Sequence, residues 1–225
     1  MILRLFVRFF LWLRFWLFQR LRHNRLVLEH VNGRPFLVLP GVFNPTLFRS
    51  SELFAKSLSS EWIRSGSTVL DMGTGSGIGA VYAAQWAAHV VAVDVNPAAV
   101  RCARINVLLN HVDDRVEVRE GDLFEPVCDM RFDAILFNPP FFRGRPRDVS
   151  DFAWRSEDVA ERFAAGLRGR LAPDGCAWVI LSSLGEDEAF LRAFRANGFR
   201  ADVMLRRDLL SEVMTIYRIG QGPCV

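Results

Sequence analysis

The chain has 225 residues, 51% of them hydrophobic, which is enough for one sizeable core and too few for two comfortable domains. Its four cysteines include no C-x-x-C pair, so the sequence indicates neither a zinc site nor a disulfide framework, and a reducing cytosol suits them. The net charge of +3 comes from the first 25 residues, which contain six arginines and no acidic residues. The remaining residues include 22 basic and 25 acidic ones, so they do not indicate a broad nucleic-acid-binding surface.

Residues 1–25 predict a cationic amphipathic helix with a wide apolar face of Leu, Phe and Trp. Arg8 and Arg14 argue against a membrane span, at about 2.5–3.5 kcal/mol each in hydrocarbon, and they interrupt the apolar run that a secretory signal needs. Two hypotheses remain. The helix lies on an anionic membrane surface, which its Arg and aromatic residues favour, or it packs on the protein body or a partner subunit. The first hypothesis predicts a cytoplasmic protein held peripherally at the inner face of the membrane.

Residues 26–65 are a predicted N-terminal cap segment. Pro35, Pro40, Gly41 and Pro45 indicate extended or turning chain, and a short helix is expected near 50–64. The segment either covers a ligand site in the body that follows or is a structural lead-in without ligand contacts. The sequence leaves both alternatives open.

Residues 66–225 alternate short β-branched runs with longer amphipathic ones, which predicts an α/β domain with a parallel sheet covered by helices on both faces. Strands are expected at 67–72, 90–94, 115–119, 132–137 and 176–182, with two further strands near 200–205 and 212–219. Helices are expected at 76–88, 97–110, 156–171 and 186–196. The fold class is therefore doubly wound α/β.

A glycine-rich turn follows the first strand of this domain. Asp71 and Met72 end the strand, and the sequence Gly73-Thr74-Gly75-Ser76-Gly77 lets the backbone turn sharply and approach a ligand at a helix N-terminus. The second strand ends at Asp94, where such folds place an acid against two ribose hydroxyls. Gly75-x-Gly77-x-x-Ala80 also satisfies the dinucleotide fingerprint, so these residues alone leave a nicotinamide enzyme as an alternative.

Two later segments favour a different cofactor. Gly121-Asp122-Leu123-Phe124 follows the third strand, where a carboxylate can accept the adenine amino group, and the fourth strand ends in Asn138-Pro139-Pro140-Phe141. In this order the four segments resemble class I S-adenosylmethionine-dependent methyltransferases, among them the HemK/PrmC-type and related small-domain N-methyltransferases. The resemblance runs from about residue 41 to 219. It implies a Rossmann-like seven-stranded sheet whose last strand is antiparallel.

The resemblance also implies a role for each motif residue, with S-adenosyl-L-methionine as the cofactor and no metal. The residues implied to hold its methionine half are Asp71, Gly73, Thr74, Gly75 and Gly77. Asp94 and the adjacent Val95 would lie at the ribose, and Asp122 and Leu123 would frame the adenine.

Methyl transfer from a sulfonium is an in-line displacement, so the enzyme must chiefly present the acceptor lone pair to the methyl carbon. The resemblance implies that the Asn138 side-chain oxygen and the Pro139 carbonyl bind the N–H groups of an amide or exocyclic amine. Pro140 would help to fix the turn and Phe141 would stack on the planar acceptor. These four residues are the predicted catalytic set, and Asn138 is also expected to border the cofactor.

Three functional hypotheses follow. The lead is N-methylation of a protein side-chain amide, glutamine in HemK-type enzymes, although their helical recognition domain is missing here and Phe replaces the commoner Tyr. The alternative acceptor is a guanine or adenine amino group in RNA. From another class comes a non-catalytic, cofactor-binding scaffold tethered to membrane by residues 1–25. Beyond the tetrapeptide, Arg143, Arg145 and Arg147 either contact phosphates or acidic groups of the substrate or belong to a solvated loop.

Overall fold

The computed structural model describes residues 25–47, 49–147, 151 and 153–221. The predicted amphipathic helix lies outside these residues, apart from Arg25. The strands are β1 (Val27–Val31), β2 (Arg34–Val38), β3 (Thr68–Met72), β4 (His89–Asp94), β5 (Val116–Glu120), β6 (Phe132–Phe137), β7 (Phe142–Arg143), β8 (Arg155–Ser156), β9 (Leu171–Ser182), β10 (Arg200–Asp208) and β11 (Val213–Gly220). The helices are α1 (Arg49–Ser57), α2 (Ile78–Ala83), α3 (Pro97–Leu109), α4 (Val159–Arg170) and α5 (Asp187–Ala196).

Seven strands form one mixed sheet in the order β10-β11-β9-β6-β3-β4-β5. The five strands from β9 to β5 pair in parallel, whereas β11 is antiparallel to both β9 and β10. The predicted doubly wound sheet with an antiparallel last strand is therefore confirmed. Strand order reverses at β3, which pairs with β4 on one side and β6 on the other. A crevice for a ligand is expected at the carboxyl ends of these strands.

Each face of the sheet carries its own apolar core. Along β3, Val69 packs with residues of α1 to α3, and the next residue, Leu70, packs with Phe163 and Phe194 of α4 and α5 on the other face. Successive strand side chains point to opposite faces, so helices on both sides require a continuous apolar run. This is why the sequence placed β3, β4, β5 and β6 within one residue of their bounds.

The cap segment contains a β-hairpin that the sequence analysis missed. β1 and β2 pair antiparallel from Val27↔Val38 to Val31↔Arg34, and Asn32 and Gly33 make the two-residue turn with φ of 45° and 77°. An Asn-Gly pair is the usual choice for such a turn because both central residues need a positive φ. The signal was present, but the nearby prolines pointed instead to irregular chain.

The cap segment shares its core with the sheet. Phe36 and Phe54 are buried in the same apolar cluster as the residues of β3 and β9 that face them. The Tyr82 hydroxyl donates to the Val31 carbonyl at 2.9 Å, and the Trp62 and Trp178 rings stack with centroids 4.4 Å apart. Burial of these side chains therefore holds the cap segment against one face of the sheet.

Several predicted boundaries differ from the observed ones. α1 ends at Ser57 and not near 64, and α2 covers 78–83 of the expected 76–88, with turns continuing to Ala87. Residues 171–175, expected as a turn before the strand, belong to β9. The register shifts there between Phe132 and Ala134, and Asp174 has a φ of 54°. A local irregularity of this kind bends a strand without ending it.

Candidate active site

A cavity of about 160 Å³ lies at the carboxyl ends of β3, β4 and β6. The structure brings together most of the predicted site residues in its lining, which includes Asp71, Gly73, Thr74, Gly75, Asp94, Val95, Asp122, Leu123, Asn138, Pro139, Pro140 and Phe141. Gly77 is the predicted residue that does not line the cavity. Segments far apart in the chain thus converge on one crevice.

Gly77 turns the chain into α2. Its φ is 82°, and a Cβ placed there would lie 3.1 Å from the Cα of Ala103 on α3. Few side chains tolerate both constraints. Gly77 therefore permits close packing of the loop on α3, whereas Gly73 and Gly75, also at positive φ, face the cavity.

Asp71 is buried beneath the glycine loop and organises it. Its Oδ2 accepts hydrogen bonds from the Thr74 hydroxyl at 2.6 Å and from the Ala80 backbone N–H at 2.8 Å. Burial raises the pKa of Asp71 to about 6, although both hydrogen bonds oppose the shift. A Cβ on Gly79 would lie 2.4 Å from Asp71 Oδ1, so the carboxylate packs directly on a glycine backbone. Gly79 was not among the site residues predicted from sequence.

Asp94 links the loop to the second strand. Its Oδ2 accepts from the Gly75 N–H at 2.8 Å and its Oδ1 from the Asn96 N–H at 2.9 Å. Burial raises the pKa of Asp94, while these backbone donors oppose the rise. Asn96 in turn caps α3 by accepting from the Ala98 N–H at 2.9 Å. The acid is therefore held in one place at the cavity wall by backbone groups.

A salt bridge not anticipated from sequence also lies in the wall of the cavity. Arg162 of α4 donates to Asp122 Oδ2 at 2.6 Å, and both residues line the cavity. Hydrogen bonding to this carboxylate raises the pKa of the Arg162 guanidinium. The side chains of Arg162 and Asp122 are 42% and 41% exposed, so solvent screens the pair.

The Asn138 side chain has a fixed orientation at the end of β6. Its Nδ2 donates to the Ser51 hydroxyl at 2.9 Å and to the Ser50 hydroxyl at 3.3 Å. Its Oδ1 is buried and has no hydrogen-bond partner among the residues that the structure describes. Buried polar atoms are nearly always paired, so an orphan oxygen in a cavity marks a position for a donor from a ligand.

Phe141 is fixed through its backbone. Its carbonyl accepts from the Glu186 N–H at 3.0 Å, and a Cβ on Gly185 would lie 2.5 Å from the same oxygen. Further aromatic rings in the lining were missed from sequence: Phe43 of the cap segment and Trp154 lie with centroids 5.0 Å apart. Aromatic residues from three separate segments therefore line the cavity.

The structure does not bring Arg143, Arg145 and Arg147 to the lining of this cavity. Arg143 lies 3.5 Å from Glu161, and the Arg147 backbone N–H donates to Asp151. Within the described part of the chain there is no cluster of three or more His, Cys, Asp or Glu residues that could bind a metal ion. The same residues contain no helix with the length and apolar character needed to cross a bilayer.

Comparison with known proteins identifies the family of the chain. The family model for the methyltransferase small domain matches residues 33–199. The chain is 32% identical over 158 residues to a putative protein N5-glutamine methyltransferase of Methanocaldococcus jannaschii, covering 66% of this chain and 79% of that protein. It is also 32% identical over 136 residues to a tRNA1(Val) (adenine(37)-N6)-methyltransferase of Phocaeicola vulgatus, covering 56% of each chain.

A solved structure shows the same fold. The T. thermophilus 16S rRNA N2 G1207 methyltransferase, in complex with AdoMet and guanosine, superposes with a TM-score of 0.63 at 24% identity. The alignment covers 86% of this chain and 50% of that one. The family match and the similarity to the M. jannaschii protein show that the chain belongs to the methyltransferase small domain family of S-adenosylmethionine-dependent enzymes.

Proposed function

We propose that this enzyme methylates a nitrogen of a planar acceptor, with the side-chain amide of a protein glutamine as the lead substrate. The observation that carries the proposal is the buried, unpartnered Oδ1 of Asn138 in the cavity wall. An acceptor N–H would satisfy this oxygen, whereas an acceptor without a hydrogen would leave it orphaned at a cost of about 1–3 kcal/mol. The similarity to the glutamine methyltransferase from M. jannaschii supports the amide over other N–H acceptors.

The residues of the cavity fit S-adenosylmethionine, which supplies a methyl group activated on a sulfonium. Gly73 and Gly75 present bare backbone, and a Cβ at Gly75 would meet nothing closer than an oxygen 4.0 Å away. Asp94 offers carboxylate lone pairs to ribose hydroxyls, and Asp122 with Leu123 frames the adenine. Asp71 holds the loop around the methionine half through Thr74.

On the acceptor side, Asn138 Oδ1 and the Pro139 carbonyl accept the two N–H groups of the amide, which aims its nitrogen at the methyl group. When bound, S-adenosylmethionine would supply the methyl group to this nitrogen, and one N–H proton of the acceptor would leave to water. Pro140 stiffens the turn, and the ring of Phe141 faces the planar group and stabilises the developing positive charge.

An exocyclic amino group of an RNA base is the second candidate. The pairing of Phe43 with Trp154 at the cavity favours it, because a nucleobase has a larger flat face to stack than an amide does. The similarity to the tRNA adenine N6-methyltransferase supports the same acceptor. Both candidates use the same Asn138 oxygen.

Residues 1–24 lie outside the described residues, and the role of residues 1–25 is proposed from sequence alone. We propose that they bind an anionic membrane surface and hold the enzyme in the cytoplasm at the inner face of the membrane. Removal of residues 1–25 should abolish sedimentation with phosphatidylglycerol vesicles, and neutral phosphatidylcholine vesicles serve as the control. Equal sedimentation of both proteins would overturn this role.

The acceptor is tested by incubating the protein with tritiated S-adenosylmethionine and fractionated cell extract. We expect label in a protein fraction, recovered as methylated glutamine after digestion, and none with Asn138→Ala. Label in RNA would select the second candidate. Cofactor binding by calorimetry without transfer to any fraction would indicate the scaffold, and absence of binding to the donor or its demethylated product would overturn the assignment.

A further inference from the structure

The first turn of α1 reaches across the cavity to the predicted catalytic asparagine. Ser50 and Ser51 are separated from Asn138 by 88 and 87 positions in sequence, yet both hydroxyls accept hydrogen bonds from its Nδ2. Ser50 is only 1% exposed, so solvent does not compete for this contact. These two serines are the polar groups that the cap segment contributes beside the asparagine.

The hydrogen-bond inventory of the amide explains what the pair does. A primary amide has two N–H donors on its nitrogen and acceptor lone pairs on its oxygen. With one serine on each N–H, both donors are used, and the oxygen is the buried polar atom left without a partner among the described residues. Rotation of the amide by half a turn would instead aim its N–H groups at the N–H of the substrate, and the two serine hydroxyls would then have to donate to the amide oxygen.

The serines are held rigidly enough for this task. Later in the same helix, Phe54 and Ala55 are buried in the core that the cap segment shares with the sheet. The helix therefore cannot shift without exposing apolar surface. Its position fixes the two hydroxyls relative to β6, the strand that ends at the asparagine.

We propose that Ser50 and Ser51 are positioning residues, which orient the Asn138 amide so that its oxygen meets the acceptor N–H. The cap segment is then part of the catalytic apparatus and more than a cover for the cofactor. The inference rests on the proposed N-methylation, but the orientation of the amide can be measured without any substrate.

The first test follows the Asn138 side-chain amide by NMR of 15N-labelled protein, with Asn138→Ala identifying the resonance pair by its disappearance. In the wild type we expect a resolved pair that exchanges slowly with water. In the Ser50→Ala/Ser51→Ala double variant we expect faster exchange and a shift of both resonances. Ser57→Ala is the matched control, because Ser57 lies on the same helix but bonds the Leu53 carbonyl. It should leave the pair unchanged.

The second test measures transfer into the extract fraction that the wild-type protein labels. Each single serine variant should lower kcat by about 2- to 10-fold, the range expected for loss of one neutral hydrogen bond, and the double variant should lower it further. Ser51→Thr, which keeps the hydroxyl, should retain most of the rate. KM for S-adenosylmethionine should stay close to wild type. The melting temperature should fall by a few degrees, because alanine leaves an N–H of Asn138 without its partner.

The outcomes separate this inference from the function on which it rests. A double variant with unchanged amide exchange, or with full kcat beside an inactive Asn138→Ala, would overturn the positioning role alone. Full activity of Asn138→Ala would instead overturn the proposed chemistry. Equal losses in the double variant and in Ser57→Ala would reduce the effect to a structural one and also refute the inference.

Discussion

Gly79→Ala tests whether Asp71 depends on a bare backbone beneath the cofactor loop. A Cβ at this position would lie 2.4 Å from Asp71 Oδ1 and 2.8 Å from its Cγ, distances that require movement of the carboxylate or of α2. Either movement strains the two hydrogen bonds that Asp71 accepts from Thr74 and Ala80. Helix propensity alone would favour alanine by about 1 kcal/mol, so the two effects have opposite signs.

We expect the destabilising effect of the close Cβ contact to exceed the gain in helix propensity. Overpacking of a buried site costs about 1–3 kcal/mol, and each hydrogen bond to a charged group contributes about 1.5–3 kcal/mol. Even with partial relaxation, we expect a net loss of about 2–4 kcal/mol in the free energy of unfolding. For a chain of this size that corresponds to a fall of roughly 4–16 °C in melting temperature. Binding of S-adenosylmethionine should weaken as well, because the displaced carboxylate no longer holds the loop.

Gly169→Ala is the matched control, since it lies in α4 and an added Cβ would meet no atom within 4 Å. It should be neutral or more stable by up to about 1 kcal/mol. Thermal unfolding followed by circular dichroism, with calorimetry for the cofactor, compares the two variants directly. A Gly79→Ala protein as stable as Gly169→Ala would refute the proposed dependence of Asp71 on this glycine.

Three further predictions concern Asp71, the Arg162–Asp122 pair and the cap segment. Burial raises the pKa of Asp71 from 3.8 to about 6, so the folded state binds the carboxyl proton more tightly than the unfolded state does. The free energy of unfolding, relative to that of Asp71→Asn, should therefore fall by about 2–3 kcal/mol as pH rises from 4 to 7. Urea unfolding of both proteins measures this difference, and a difference that does not change with pH would contradict the prediction. Arg162→Ala removes a solvent-screened ion pair and should cost less than about 1 kcal/mol, so a larger loss in the same assay would show that the pair is a structural clamp. Trp62→Ala removes a ring stacked on Trp178 and should lower the free energy of unfolding by about 2–4 kcal/mol. Because the cap segment and the sheet share a core, unfolding should remain one cooperative transition, and two separate transitions would refute the shared core.

The glycine loop and the strand-end acids were predictable because their signals are local. Gly73 and Gly75 stand where a turn needs positive φ, and Asp94 follows an apolar run that could only be a buried strand. The hairpin turn at Asn32-Gly33 carried an equally local signal, which the neighbouring prolines obscured. The fold class followed from the same alternation of apolar runs and turns.

The remaining parts of the site depend on contacts that no local pattern encodes. Gly77 belongs to the same motif as Gly73, yet it packs on Ala103 because of how α3 crosses the loop. Arg162 lies 40 positions from Asp122, and the residues around this arginine do not indicate which acid it will contact. Only the packing of α4 on the sheet brings the two together.

What the sequence determined by itself is the glycine loop, the strand-end acids and the order of elements around the cavity, since backbone conformation and strand burial depend on neighbouring residues. Only the tertiary structure decided which side chains meet across the cavity wall, where Ser50 and Ser51 contact Asn138 and where Phe43 contacts Trp154. These contacts exist because the cap helix is buried against the sheet. The role proposed for Ser50 and Ser51 depends on this position, which follows from the burial of apolar residues of the same helix.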